Sequence, residues 1–116
     1  MGLFMLPFSK VRHSGGLVFL SGELPIVADG PMPEGIEAQT ELTLDRITAT
    51  LQGEGLDLSD VVSVTAYLTE QEDFAAFNKV YERRFPQPFP VRTTVRSDLM
   101  LAGARLELTV IAQRRN

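Results

Sequence analysis

The chain of 116 residues contains no cysteine and a single histidine, His13. Without cysteine it can form neither disulfides nor a thiolate nucleophile, and one histidine leaves too few ligands for an ordinary zinc site. A serine–histidine–aspartate triad would have to use His13, but no Gly-x-Ser-x-Gly motif presents a serine. Dinucleotide-binding Gly-x-Gly-x-x-Gly and P-loop motifs are also absent. We therefore expect a protein that uses no metal and no cofactor.

Long apolar runs and an excess of positive charge are missing as well. No apolar run approaches the roughly 18 residues of a membrane-spanning helix, so we expect no membrane segment. The apolar N-terminal stretch is short and no basic region precedes it, which argues against a signal peptide and favours a cytoplasmic location. The net charge of −4 gives no indication of nucleic-acid binding. With 44% hydrophobic residues, the chain is suited to one folded domain over residues 1–116.

Hydrophobic periodicity predicts seven elements in the order ββαβαββ. The strands are predicted over residues 8–13, 17–23, 61–69, 91–97 and 105–113, and the helices over residues 35–53 and 73–85. This order places both helices on one face of a single mixed sheet, which is an α+β architecture. The second helix carries an aromatic stripe that we expect in the core, formed by Phe74, Phe77, Tyr81 and Phe85. Asn78 lies beside this stripe and should find its hydrogen-bond partners in the backbone of the sheet edge.

The strands carry more apolar residues than two short helices can cover. Examples are the pairs Leu17 and Phe19, Val62 and Val64, and Leu106 and Leu108. An apolar sheet face in contact with water would be unfavourable. We therefore expect the second face of the sheet to be buried against other subunits.

A strand that follows the proline-punctuated loop carries arginine. Arg92, Thr94 and Arg96 alternate with β-favouring neighbours, so they share one face of that strand. A guanidinium group is always charged and can bind a carboxylate through two parallel hydrogen bonds. The residues alone leave open whether Arg92 binds a ligand, pairs with an acidic residue or reaches into solvent. The roles of Glu107, on the last strand, and of Ser21, a residue type typical of turns, are equally open.

Several motifs follow one another in order along the chain. Residues 90–93 read Pro-Val-Arg-Thr and residues 21–25 read Ser-Gly-Glu-Leu-Pro, and the further segments are 38–40, 61–69, 73–81 and 106–112. Over roughly residues 8–112 the chain resembles the RidA family, also called YjgF or, by an older label, L-PSP endoribonuclease. The corresponding family signatures are Pro-x-Arg-Thr/Ser and Ser-Gly-Gln-x-Pro.

The resemblance implies a chorismate-mutase-like fold of the bacillus type and a homotrimer with clefts between adjacent protomers. It also implies hydrolysis of amino-acid-derived enamines and imines to 2-keto acids with release of ammonia. In that reaction Arg92 would bind the carboxylate of a small substrate and Glu107 would transfer protons. Ser21, Thr94 and Phe8 would complete the substrate-binding cleft.

Two residues depart from the family pattern. Many hydrolytic members have a tyrosine where this chain has Phe8, so a hydroxyl group is lost from the first strand. The family glutamine after Ser-Gly is Glu23 here, which adds negative charge near an anion site or simply points to solvent. Both departures suggest a shifted substrate preference.

Other functions remain open on the sequence. One is a non-catalytic or regulatory module that binds small carboxylates or a partner protein. Another is a pathway-specific deaminase for a larger enamine of the aminomuconate or aminoacrylate type. An endoribonuclease is disfavoured because the chain is acidic and has one histidine. A chorismate mutase would rest on fold alone, and fold does not carry function.

Overall fold

The computed structural model describes residues 6–116, so most of the N-terminal stretch considered above as a signal peptide lies outside the described residues. The strands are β1 Val11–Ser14, β2 Leu17–Leu20, β3 Val61–Leu68, β4 Val91–Arg96 and β5 Leu106–Gln113. The helices are α1 Ile36–Gly53 and α2 Phe74–Arg84. The predicted order ββαβαββ is confirmed. Neither helix combines the length and apolar character that crossing a membrane requires.

The five strands form one mixed sheet in the order β1-β2-β5-β3-β4. β3 and β4 run parallel, and the other neighbouring pairs are antiparallel. β5 and β3 are therefore central, and β4 is an edge strand. This edge position leaves one side of β4 accessible to a ligand or to another chain.

Both helices cover the same face of the sheet, as the sequence predicts. Along β5 the alternate residues Leu106, Leu108, Val110 and Ala112 are buried. The stripe predicted for α1 is buried as well, since Ile36, Thr40, Leu44, Ile47 and Leu51 are inaccessible. Each buried leucine or isoleucine stabilises the fold by about 1.5–3 kcal/mol. The hydrophobic core is the layer between this sheet face and the helices.

The second sheet face carries apolar side chains that no helix covers. Phe19 lies opposite Ile111, and Tyr67 lies opposite both Glu107 and Val95. Phe19 and Val95 remain 38% and 41% exposed. We call this surface the open face. Val64, Leu106 and Leu108, named above among the surplus apolar residues, are instead buried beneath the helices.

The first strand is shorter than predicted. β1 begins at Val11, because its pairing with β2 ends where Val11 meets Leu20. Phe8 lies before the strand in a bend, where its amide donates to the carbonyl of Leu6 (2.8 Å). The prediction that Phe8 belongs to the first strand is therefore wrong, and its side chain is 62% exposed.

Candidate functional site

Arg92 projects from β4 towards the helices. It pairs with Val64 of β3, whose side chain is buried in the core, and cross-strand partners lie on the same side of a sheet. Its guanidinium meets α2, where Nη2 donates a 2.8 Å hydrogen bond to Oδ1 of Asn78. Asn78 thus binds a side chain and not the sheet-edge backbone that the sequence suggested. The bond holds the guanidinium in a fixed orientation at the sheet edge.

Three aromatic rings of α2 surround the same guanidinium. Its Cζ atom lies 5.8, 5.3 and 4.6 Å from the ring centroids of Phe74, Phe77 and Tyr81. Cation–π contacts of this kind contribute about 0.5–1 kcal/mol each at exposed sites and more where water is excluded. Burial, opposed in part by the positive charge of Arg92, raises the pKa of Tyr81 to about 12. Tyr81 therefore stays neutral at physiological pH and does not compete as an anion for Arg92.

The aromatic stripe is only partly core. Phe77, Tyr81 and Phe85 are buried as predicted, but Phe74 is 45% exposed. The sequence did contain a signal for this arrangement. Phe74, Asn78 and Tyr81 are spaced by four and three residues, so they lie on one side of a helix. The stripe thus belongs both to the core and to the support of Arg92.

A cleft of about 390 Å³ opens beside Arg92. It is lined by Asn78, Tyr81, Glu82, Phe89, Pro90 and Arg92. None of the salt bridges formed within residues 6–116 involves Arg92, so its remaining N–H groups are not neutralised by a carboxylate of the same chain. The cleft wall combines the rings of Tyr81, Phe89 and Pro90 with the polar Asn78 and Glu82, and its one oriented guanidinium is suited to a small carboxylate.

Thr94 lies on the same face of β4 but outside this cleft. It lines a neighbouring cavity of about 210 Å³ together with Leu68, Gln71, Phe74, Val95 and Arg96. Phe74 borders both Arg92 and this cavity. Thr94 is therefore next to the Arg92 cleft, separated from it by one aromatic ring.

Glu107 lies on the open face. It sits between two buried leucines of β5 and opposite Tyr67 of β3, so its side chain points away from the helices. Its carboxylate lies against Gly22, where a Cβ atom would stand only 2.0 Å from Oε2. The preceding residue, Ser21, uses its hydroxyl to donate to the carbonyl of Ser9 (2.6 Å). Glu107 thus lies against the Ser21–Gly22 segment through Gly22, whereas the Ser21 hydroxyl is bonded to the segment before β1.

The electrostatic surroundings raise the pKa of Glu107. Partial burial is the main cause, and the negative charge of Glu23 adds to it. Glu23 does not point to solvent, since it is only 9% exposed. Its carboxylate accepts from Nε of Arg46 at 2.8 Å and lies 3.6 Å from Nζ of Lys10. A carboxyl group with a raised pKa is better suited to exchange protons near neutral pH.

Within one protomer the predicted site residues fall into two groups. Arg92 and Thr94 face the helix layer at the β4 edge, whereas Glu107 lies on the open face and Ser21 directly precedes Gly22, the residue that Glu107 contacts. Phe8 belongs to neither cavity beside β4. Within residues 6–116 there is no cluster of three or more histidine, aspartate or glutamate side chains that could hold a metal ion.

Comparisons with known proteins agree with this architecture. The family described as Endoribonuclease L-PSP matches residues 4–114. Protein mmf2 of Schizosaccharomyces pombe is 37% identical over 109 residues, covering 91% of this chain and 86% of that protein. Reactive Intermediate Deaminase A of Arabidopsis thaliana is 34% identical over 108 residues, covering 91% of this chain and 58% of that protein.

Solved structures give the same result for the fold. Escherichia coli TdcF with bound serine has a TM-score of 0.86 at 27% identity, covering 97% of this chain and 91% of that one. RidA from a Psychrobacter species has a TM-score of 0.87 at 29% identity, covering 95% and 90%. The mixed sheet with two helices on one face therefore has the chorismate-mutase-like α+β fold. The chain belongs to the RidA/YjgF family.

Proposed function

We propose that this protein hydrolyses imines and enamines derived from amino acids, releasing 2-keto acids and ammonia. The observation that carries the proposal is the environment of Arg92. Its guanidinium is oriented by Asn78 and three rings at a cleft, and no carboxylate of residues 6–116 forms a salt bridge with it. An oriented, unpaired arginine can recognise the carboxylate that every such imine carries.

Binding at Arg92 would fix the reacting carbon in space. One N–H of Nη2 is used by Asn78, which leaves the other guanidinium N–H groups for two parallel bonds to the substrate carboxylate. The imine carbon is attached directly to that carboxylate, so a bidentate contact restricts its position and orientation. The apolar rim at Phe89 and Pro90 would contact the substrate side chain.

The reaction needs one water molecule and a group that moves protons. Glu107, as a carboxylate, takes a proton from water while the oxygen forms a bond to the carbon of the protonated imine and the C=N π electrons move to nitrogen, which gives a neutral carbinolamine. Protonated Glu107 then gives this proton to the amino group. As the carbon–nitrogen bond breaks, Glu107 takes the hydroxyl proton, the carbon–oxygen double bond of the keto acid forms and ammonia leaves, to which Glu107 passes its proton. The raised pKa of Glu107 supports these proton transfers.

The two groups of site residues require a second protomer. Arg92 and Glu107 lie on opposite faces of one sheet, so a single chain cannot bring them to one substrate. We infer a homotrimer in which the open face packs against neighbouring protomers, because that face carries Phe19, Val95 and Ile111 uncovered by any helix. Arg92 stands on an edge strand, where Glu107 and the adjoining Ser21–Gly22 segment of an adjacent protomer could close the cleft.

A non-catalytic carboxylate-binding role is the second candidate. It is favoured by the similarity to Escherichia coli TdcF, whose structure holds bound serine. Such a role would use Arg92 but would not need a proton-transfer group. The pKa of Glu107, raised in a cluster that holds its carboxylate against Gly22, supports the hydrolytic function over this alternative.

The two functions can be separated with one pair of measurements. An amino acid oxidase generates 2-iminobutyrate, and release of the keto acid is followed with and without the protein. We expect faster release with the wild type, and a turnover lower by roughly 10²–10⁴-fold with Glu107→Gln. Binding of 2-ketobutyrate, measured by calorimetry, should persist in Glu107→Gln and be lost in Arg92→Ala. Binding without any acceleration by the wild type would favour the non-catalytic role.

A further inference from the structure

A second arginine stands beside the Arg92 cleft. Arg96 is exposed, four residues further along the same face of β4, and its Cα atom is therefore about 13 Å from that of Arg92. Like Arg92, it takes part in none of the salt bridges formed within residues 6–116. Arg12 and Arg114 are likewise without a carboxylate partner in residues 6–116, but neither lines the cavities beside β4. The carboxylate-paired arginines are Arg46, Arg83, Arg84, Arg105 and Arg115.

The surroundings of Arg96 form a cavity of defined chemistry. The cavity of about 210 Å³ has apolar walls from Leu68 and Phe74, and Thr94 and Gln71 add a hydroxyl and an amide. Its lining contains no acidic residue. A cavity that combines an unpaired guanidinium with neutral hydrogen-bond donors favours an anion over a cation.

The cavity adjoins the Arg92 cleft through one residue. The ring centroid of Phe74 lies 5.8 Å from Cζ of Arg92, and Phe74 also lines the Arg96 cavity. The exposed side of Phe74 provides an apolar surface between the Arg92 guanidinium and the cavity that Arg96 lines. A ligand that places one carboxylate at Arg92 could therefore lay an aliphatic chain along Phe74 and extend a second anionic group towards Arg96.

We propose that Arg96 is a specificity-determining residue that binds the second carboxylate of dicarboxylic imine substrates. The inference rests on the proposed hydrolytic function and names its substrate class: imines of amino acids whose side chains end in a carboxylate. The separation of the two arginines along β4 favours the longer members of this class. Arg92 holds the carboxylate next to the reacting carbon, and Arg96 holds the one at the far end of the side chain.

Matched substrate pairs test this assignment. Imines are generated from aspartate, glutamate and 2-aminoadipate and compared with those from 2-aminobutyrate, norvaline and norleucine, which have the same chain lengths but end in a methyl group. For the best chain length we expect the dicarboxylic imine to be preferred by roughly tenfold or more in kcat/KM. The preference should rise from the aspartate-derived to the longer imines.

Variants then locate the preference on Arg96. Arg96→Gln should reduce the dicarboxylic preference to about one or below, while kcat/KM for the methyl-ended imines stays within about twofold. Arg83→Gln makes the same change of charge away from both cavities, at a residue paired with Glu41, and should keep the preference. An unchanged ratio in Arg96→Gln, an equal loss for both substrate types, or the same effect from Arg83→Gln would overturn the proposal.

A binding measurement separates failure of this inference from failure of the proposed function. If the wild type accelerates no imine at all, hydrolysis is wrong, and calorimetry with 2-oxoglutarate and 2-oxopentanoate still tests the subsite. Tighter binding of the dicarboxylate that Arg96→Gln abolishes would support the subsite. Equal binding of the two keto acids by the wild type would reject it.

Discussion

The carboxylate of Glu107 occupies the space that a side chain at position 22 would need. A Cβ atom built on Gly22 would lie 2.0 Å from Oε2 and 2.9 Å from Cδ of Glu107. Such distances are far below van der Waals contact, so the close approach depends on glycine. The glycine of the Ser-Gly signature thus sets the position of the proposed proton-transfer group.

Gly22→Ala should displace Glu107 without unfolding the protein. The atoms that a methyl group would meet are at the end of a flexible side chain, which can turn away at small cost. We expect turnover of 2-iminobutyrate to fall by roughly 10²–10⁴-fold, as for Glu107→Gln, because the carboxylate no longer reaches the substrate. The melting temperature should change by only a few degrees.

Gly53→Ala serves as the matched control, because a Cβ atom there would meet nothing within 4 Å. It should leave turnover unchanged. Wild-type turnover in a folded Gly22→Ala protein would mean that the position of the Glu107 carboxylate does not matter for the reaction.

Glu23→Gln should shift the pH dependence of hydrolysis. Burial and, after it, the charge of Glu23 raise the pKa of Glu107. The substitution removes this negative charge and leaves Lys10 and Arg46 without their carboxylate partner, and both changes favour ionised Glu107. Its pKa should therefore fall. Since the ionised form accepts the proton from water, kcat/KM rises with pH as Glu107 ionises. The acidic limb of the plot of kcat/KM against pH should therefore move to lower pH.

Glu41→Gln provides the comparison, because Glu41 is also paired with arginines, Arg83 and Arg84, but belongs to α1 on the helical side. The acidic limb of the pH profile of the Glu41→Gln variant should coincide with that of the wild type. A limb that stays in place or moves to higher pH in Glu23→Gln would assign the titration to a group other than Glu107.

Much of the fold could be predicted from periodicity. The spacing of Ile36, Leu44 and Leu51 identifies the buried side of α1, and the alternation of β5 identifies its buried leucines. The start of β1 could not be read in the same way. The predicted strand extends back to residue 8, but the ladder with β2 ends at Val11 and Leu20. Beyond it the Ser21 amide still donates to the carbonyl of Lys10 (3.1 Å), and Phe8 lies in a bend.

The site was only partly predictable, because strand register decides which residues meet. The sequence places Arg92, Thr94 and Arg96 on one face of β4, and composition alone would turn the opposite, valine-bearing face towards the core. Only its pairing with Val64 places Arg92 towards the helices. For Glu107, the leucines on either side already indicate a side chain that points away from the core. The two residues could therefore have been expected on opposite faces once the register of β3 with β4 was known.

Arg92→Lys should fail although it keeps the charge. An ammonium group cannot form the two parallel hydrogen bonds, so we expect kcat/KM to fall by an amount that corresponds to about 2–5 kcal/mol of lost transition-state stabilisation, similar to Arg92→Ala.

Asn78→Leu should retain part of the activity. It removes the 2.8 Å bond to Nη2 but leaves the rings, so KM should rise by roughly tenfold with a smaller change in kcat.

Asn78→Asp distinguishes orientation from simple packing. The aspartate has nearly the same shape but would pair with Arg92 as a carboxylate and compete with the substrate. We expect a larger rise in KM than for Asn78→Leu. If Asn78→Asp instead behaves like the wild type, the contact between Asn78 and Arg92 does not control substrate binding.

Mixing two inactive variants should restore activity if the site spans two protomers. The protein should first be shown to have a mass of about three times 12.8 kDa, as expected for a closed trimer. Arg92→Ala and Glu107→Gln are each expected to be inactive alone. After co-refolding or co-expression, some interfaces combine an intact Arg92 from one chain with an intact Glu107 from the other, and other interfaces carry both substitutions.

The intact interfaces should give a substantial fraction of wild-type turnover, whereas the two variants mixed without subunit exchange should give none. A double variant carrying both substitutions in one chain, mixed with the wild type, tests the same geometry from the other side. There each mixed interface lacks one of the two groups, so activity should fall below the proportion of wild-type chains. Activity that follows the wild-type proportion in that mixture, together with no recovery from the two single variants, would show that both groups must come from the same chain and would exclude a site shared between protomers.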